Sequence, residues 1–203
     1  NLETGQVFED SFDKLMIASG AQAIIPPFPG VGLEGVYTLK TIDDGVVLKE
    51  KLSDENIKEI AIIGGGYIGI EVAEALSASG KHIRIIEMAD RLLMPFDPEI
   101  SDYAFDEMNT LGVEVKLKEK LVSIEGNQRV ASIVTDRSTY KADLVLMAIG
   151  VKPATGFLKD SGIQLAGNGA VVVDKELRTN LPDIYAAGDC AEVYHLAKQR
   201  NAY

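Results

Sequence analysis

Gly64, Gly65, Gly66, Tyr67, Ile68 and Gly69 satisfy the spacing Gly-x-Gly-x-x-Gly, between an apolar run over 57–63 and a helix-patterned segment over 67–79. A turn from strand into helix gathers free N–H groups and the positive end of the helix dipole at one point, which suits a phosphate. Gly64 permits the tight turn, Gly66 lets a pyrophosphate come close to the backbone, and Gly69 allows close helix–strand packing. A second apolar strand ends at Glu87, 18 residues after Gly69. A carboxylate at that position can accept hydrogen bonds from both hydroxyls of an adenosine ribose. The combination predicts a dinucleotide site. Glu87 would repel a 2′-phosphate, and Met88, Ala89 and Asp90 follow it, so NADH is expected over NADPH; Arg91 is a nearby cation that bears on that choice.

The remaining reactive side chains are sparse. Cys190 is the single cysteine, so no intrachain disulfide and no Cys-x-x-Cys pair can form, and a reducing, cytoplasmic setting is the default. His82 and His195 are unclustered, and no Cys/His/carboxylate spacing suggests a metal. No Ser–His–acid arrangement emerges either.

Several elements must position the glycine turn. Strands are expected over 15–18, 36–39, 57–63, 83–87, 113–117 and 184–187, and helices over 42–52, 67–79 and 98–111. Val46, Val47 and Leu48 are expected inside the first helix, Gly80 just past the end of the second in a left-handed cap, and Asp97 as the cap of the third. Residues 24–35, with Pro26, Pro27 and Pro29, read as an extended linker. From Lys120 the periodicity drops to two, which predicts a three-stranded antiparallel meander over 121–125, 130–136 and 144–149. A short helical turn is expected over 157–161.

The chain has 203 residues, 46% of them hydrophobic, enough for one substantial core and part of a second. A net charge of -11 argues against nucleic acid, because nothing basic and contiguous could neutralise its backbone. No apolar run approaches the roughly 18 residues of a membrane span, and the first residues lack the pattern of a signal peptide.

Three further segments carry a resemblance. Phe12 to Gly20 is similar to a strand ending in Ala-Thr-Gly, with Ser19 for the threonine. Ala148-Ile149-Gly150-Val151-Lys152-Pro153 is similar to a second such strand end, and Thr179 to Asp189 to a flavin-binding strand. With the glycine turn between them, the chain resembles the pyridine nucleotide-disulfide oxidoreductase family. Gly64 to Gly69 with Glu71, and the ending Glu192-Val193-Tyr194-His195, are most similar to its NADH oxidase and coenzyme A-disulfide reductase branch.

The resemblance implies an α/β fold: a doubly wound, Rossmann-like parallel sheet with the meander, flanked by parts of an FAD-binding domain. Residues 1–34 would end a first FAD-domain segment and include the linker, 35–153 would form the NAD(H)-binding domain, and 154–203 would begin the returning FAD segment. The chain would lack the first FAD phosphate loop, the redox cysteine and the dimerisation domain, so alone it should not turn over. The parent would be a homodimer that passes hydride from NADH to FAD and on to a cysteine centre, reducing dioxygen, peroxide or coenzyme A disulfide. Alternatives are an NADH-dependent reductase of rubredoxin, ferredoxin or nitrite type, and a stand-alone NAD-binding module. The fragment's partner would be the rest of its own FAD domain.

By the same resemblance, Ser19, Gly20, Gly188 and Asp189 approach FAD, with Asp189 on the ribityl chain or serving only to cap a following helix. Tyr67 covers the flavin on its nicotinamide side, or simply opens a helix. Glu71 orients the nicotinamide ring, or is an exposed helix glutamate like Glu74. Ile149 and Gly150 line the nicotinamide pocket, or form a plain turn. Cys190 lies far from the family's redox cysteine and is expected to be inert.

Overall fold

The computed structural model describes residues 3–195, 197 and 199–202; Asn1, Leu2, Leu196, Lys198 and Tyr203 lie outside the described residues. Its elements begin with β1 (Leu15–Ile17), β2 (Ala21–Ala23), β3 (Val36–Thr38) and α1 (Ile42–Leu52). There follow β4 (Glu59–Ile63), α2 (Tyr67–Ser77), β5 (His82–Glu87), α3 (Pro98–Thr110) and β6 (Glu114–Leu117). Next come β7 (Leu121–Gly126), β8 (Val130–Thr135), β9 (Thr139–Lys141), β10 (Leu144–Met147) and β11 (Val151–Pro153). A 3-10 turn (Gly156–Leu158), β12 (Val171–Val172), β13 (Ile184–Ala186), β14 (Ala191–His195) and β15 (Arg200–Ala202) complete the chain. These elements fall into two compact units, one of residues 23–150 and one of residues 1–22 with 151–203.

The unit of residues 23–150 is built on a parallel sheet of order β3-β10-β4-β5-β6. Ile60–Ile63, Ile83–Ile86 and Leu144–Met147 are buried at every position, as parallel strands covered on both faces require. Alternate residues face different neighbours. Ile60, Ile62, Ile83, Ile85, Leu144 and Leu146 pack with Leu48, Ala73 and Met108 of the three helices. Ala61, Ile63, Ile86, Val145 and Met147 pack with Leu121, Ile124, Val130 and Ile133 of the antiparallel β7-β8-β9 meander. Helices thus cover one face and the meander the other.

Several expectations need correction. The third meander strand is Thr139–Lys141, and Leu144–Met147 instead enters the parallel sheet between β3 and β4. Its four buried residues fit a central strand, whereas a meander strand would alternate. Asp97 holds the N-cap position of α3 without a side-chain cap bond; its backbone carbonyl accepts from Ile100 and Ser101 instead. In α1 only Leu48 is buried, while Val46 and Val47 face solvent, because three consecutive residues cannot share one helical face. The segment 24–35 packs Phe28, Val31 and Leu33 against the meander side of the core. Gly80 does take the left-handed conformation, two residues past the Ala78 cap.

The unit of residues 1–22 and 151–203 has its own core of Ile17, Leu158, Val171, Val173, Ala186, Cys190 and Ala191. There β1 pairs in parallel with β13, and β14 lies between β12 and β15. A turn and then β14 follow Asp189, so no helix is present for it to cap.

Candidate functional site

The glycine turn lies at the carboxyl edge of β4, beside the carboxyl ends of its neighbours β10 and β5. This edge is where open α/β sheets bind ligands. Gly64 has φ +111 and donates its N–H to Ile86 at 2.9 Å, so the sheet pairing continues into the turn. A Cβ on Gly64 would stand 2.5 Å from the carbonyl oxygen of Ala148. A Cβ on Gly65 would run into Leu92 Cδ2, and one on Gly69 into the Gly64 carbonyl oxygen. At Gly66 the surroundings are open, with no heavy atom within 4 Å of an added Cβ. Gly64, Gly65 and Gly69 therefore let protein approach protein, and Gly66 leaves room for a ligand.

Helix starts differ in what satisfies their N–H groups. In α1, Thr41 and Asp44 form a reciprocal capping box, with Thr41 Oγ1 accepting from Asp44 N at 3.1 Å and Asp44 Oδ2 accepting from Thr41 N at 2.8 Å. In α2, Gly66 offers no side chain, and the first turn has no acidic residue. Its leading N–H groups, which lack intrahelical acceptors, are left to face an anion. The residues present fit a pyrophosphate at this point.

Glu87 is joined directly to the turn. Its Oε2 accepts from Gly65 N at 2.6 Å and its Oε1 from Ala89 N at 2.7 Å. The segment after Glu87 bends back over the turn, with Leu93 N donating to the Gly65 carbonyl at 2.9 Å and Leu92 fully buried. Phe96 then meets Tyr67 edge-on, ring centroids 5.5 Å apart, both rings largely exposed. Ile68 is half-buried and packs on the helical side of the core. Glu71, one turn beyond Tyr67 on the same helix face, is exposed, as is Glu74, so burial does not separate the two glutamates.

Ile149 and Gly150 follow β10, next to the glycine turn, and Gly150 takes φ +111 while its carbonyl accepts from Ile24 N at 3.0 Å. In the other unit, Ser19-Gly20 and Gly188-Asp189 follow the paired parallel strands β1 and β13, so these four residues share one strand edge. Cys190 is fully buried, its thiol directed at the carbonyls of Ala187 and Ile17 at 3.2 and 3.4 Å. His82 faces Glu59 at 2.9 Å and Glu114 at 3.5 Å on strands flanking β5, away from the glycine edge. Among the described residues no group of three or more His, Cys, Asp or Glu could hold a metal ion, and no helix is long and apolar enough to cross a membrane.

The backbone contacts of Ala148 and Ala89 and the return of residues 89–96 over the turn are not legible in the sequence. Contacts made through carbonyl and N–H groups leave no residue-type signal, and Phe96 is too far along the chain from Tyr67 for spacing to link them.

A parallel sheet with a glycine turn, an uncapped helix start and a tethered carboxylate at its carboxyl edge defines a dinucleotide-binding α/β protein. The family model described as "Pyridine nucleotide-disulphide oxidoreductase" matches residues 1–202, and the chain belongs to that family. It is 36% identical over 202 residues to an NAD(P)H coenzyme A polysulfide/persulfide reductase of Pyrococcus horikoshii, covering 99% of this chain and 45% of that protein. It is also 36% identical over 206 residues to an NADH oxidase of Enterococcus faecalis, covering 100% of this chain and 46% of the relative. Among solved structures it is similar to the water-forming NADH oxidase of Lactobacillus brevis bound to NADH (TM-score 0.88, 36% identity, 96% of this chain and 43% of that one). The chain spans a little under half the length of the curated relatives it matches.

Proposed function

We propose that residues 23–150 form the NADH-binding domain of a cytoplasmic, homodimeric flavoenzyme, and that residues 1–22 and 151–203 contribute parts of its FAD-binding domain. The carrying observation is the 2.6 Å bond between Gly65 N and Glu87, which ties the ribose-binding carboxylate to the turn that would hold the pyrophosphate. Bound NADH supplies a hydride, which FAD in the whole protein would accept and pass to a cysteine centre. The relatives' names favour dioxygen or coenzyme A-linked sulfur compounds as final acceptors.

Within this chain, Gly64 to Gly69 hold the pyrophosphate and Glu87 the adenosine ribose. Tyr67, Glu71, Ile149 and Gly150 stand on the nicotinamide side, Glu71 orienting the ring. Ser19, Gly20, Gly188 and Asp189 lie along the flavin. On this reading the chain binds NADH.

Calorimetric titration with NADH and NADPH, repeated on Glu87→Ala, tests the proposal. NADH should bind more tightly than NADPH, and the gap should narrow by about tenfold in the variant as one charge-assisted contact is lost. Failure of both nucleotides to bind would sink it.

A further inference from the structure

Glu87 is held by more than the glycine turn. Strand β6 ends at Leu117, level with Glu87 on β5, and the chain then leaves the sheet through Lys118 at φ +55. A non-glycine residue keeps that conformation only when its neighbours enforce it. Here the bend lays two successive N–H groups on the segment that follows β5. Lys118 N donates to the Ala89 carbonyl at 2.8 Å, and Glu119 N donates to the Glu87 carbonyl at 3.0 Å. Ala89 links this grip to the site. Its carbonyl is held by Lys118, while its own N–H donates to Glu87 Oε1 at 2.7 Å. A shift of residues 118–119 would therefore move a donor that orients the ribose-binding carboxylate.

A buried side chain fixes residues 118–119 in turn. Glu119 is only 4% exposed, and its Oε1 accepts from Thr135 Oγ1 at 2.6 Å. That hydroxyl is itself anchored in the β8–β9 turn, accepting from Ser138 N at 2.9 Å and Arg137 N at 3.2 Å. Lys120 adds a second fastening to the same hairpin, its N–H donating to Asp136 Oδ1 at 2.9 Å and its carbonyl accepting from Asp136 N at 3.0 Å. Burial and the facing Glu119 carboxylate push the Tyr140 phenol up, so its hydroxyl keeps its proton beside Glu119. Hydrogen bonds to a buried carboxylate are among the stronger ones, and removing a partner exposes the full cost of burying the group. Glu119 is thus a stiff tie between the meander and the segment after β5.

We infer that Glu119 is a positioning residue for the coenzyme ribose. Its side chain bonds the β8–β9 hairpin, and the N–H groups of Lys118 and Glu119 pass that fixed geometry to Ala89 and Glu87. The meander therefore sets how firmly the site holds the ribose hydroxyls. This rests on the dinucleotide-site reading above and deepens it.

The test is calorimetric titration of the full 203-residue chain with NADH, ADP and 2′,3′-dideoxy-ADP, which keeps the pyrophosphate but lacks both ribose hydroxyls. Wild type should bind ADP more tightly than the dideoxy compound. In Glu119→Ala, NADH and ADP should weaken by about three- to tenfold, the size expected of a linked residue that acts through another. The dideoxy compound should change by less than about twofold. Glu119→Gln keeps an acceptor for Thr135 Oγ1 and should restore most of the loss. Thr135→Val breaks the same bond from the other side and should reproduce the selective weakening, a second route if Glu119→Ala does not fold. In a Glu87→Ala background, adding Glu119→Ala should change NADH affinity by less than about twofold, because the group it acts through is gone. Equal weakening of ADP and its dideoxy analogue would overturn the proposal and leave Glu119 as a support of the whole turn. Unchanged NADH and ADP affinity in Glu119→Ala, or an undiminished loss in the Glu87→Ala background, would overturn it as well. If wild type binds no NADH, or does not distinguish ADP from the dideoxy compound, the dinucleotide reading itself has failed and the proposal falls with it.

Discussion

Two motif glycines separate folding from binding, and substituting alanine at each tests that separation. At Gly64 the backbone sits at φ +111, where an L-residue is strained by roughly 1–3 kcal/mol. The new methyl would also stand 2.5 Å from the Ala148 carbonyl oxygen and 2.8 Å from its carbon, both backbone atoms. Ala148 N is bonded to the Ile63 carbonyl at 2.8 Å, so relief would have to pull apart the end of the β4–β10 pairing. Overpacking of this kind adds about 1–3 kcal/mol. Gly64→Ala should therefore lose roughly 2–6 kcal/mol, against a typical stability of about 5–15 kcal/mol. At about 2–4 °C per kcal/mol for a chain of this size, the melting temperature should fall by roughly 5–20 °C.

Gly66 has φ -82 and ψ -169, open to any residue, and no atom near an added Cβ. Gly66→Ala should melt within about 4 °C of wild type, since alanine is a poorer N-cap than glycine by only about 1 kcal/mol. Its methyl, however, would occupy the approach to the first turn of α2, and NADH affinity should drop at least about tenfold. Circular-dichroism melts and NADH calorimetry on the same preparations read both quantities. Wild-type affinity in Gly66→Ala would mean that the phosphate does not pass over this turn. A wild-type melt in Gly64→Ala would refute the steric account of the loop.

Further outcomes follow from polar groups away from the glycine edge. Glu119 is buried and its Oε1 accepts from Thr135 Oγ1 at 2.6 Å; Thr135→Val should cost about 1–3 kcal/mol in urea melts by leaving that carboxylate short of a donor, and a loss under about 0.5 kcal/mol would contradict this. Burial pushes the Asp143 carboxyl up, but the N–H groups of Glu59 and Lys58, each at 2.9 Å, and the charges of Lys141 and Arg129 outweigh it and hold its pKa below 3.8. The stability it contributes is full above pH 3.8 and is lost as pH falls through the lower folded value. Urea melts from pH 6 down to pH 3 should show a shallower acid loss in Asp143→Asn than in wild type.

What was readable in the sequence depended on how each residue's surroundings marked it. Ile60–Ile63 is an unbroken apolar run, and Ile83–Ile86 one interrupted only by Arg84, because both sheet faces are covered, and the glycine turn between strand and helix leaves a spacing that can be seen directly. Leu144–Met147 is the same kind of run, yet following two alternating strands it looked like their continuation. The short polar strand Thr139–Lys141, which completes the meander, has neither the length nor the pattern to declare itself. Asp189 matched a strand end in the family resemblance, but the helix expected after it is replaced by β14, whose Val193 and Tyr194 suit extended backbone. The hold of Gly65 and Ala89 on Glu87 runs through main-chain N–H groups, which every sequence has, so no letter could announce it. Arg91 was visible as a charge, but only the structure shows that it lacks a partner.

The bond from Ile24 N to the Gly150 carbonyl brings together the two ends of the 23–150 unit. A folded body whose entry and exit points touch behaves as a cassette. It can sit within another sequence at little cost in loop closure, and it can be lifted out, transplanted or given new termini in an exposed turn without dismantling its sheet. The exposed Gly126-Asn127 turn of the meander offers a natural place to open such a permutant.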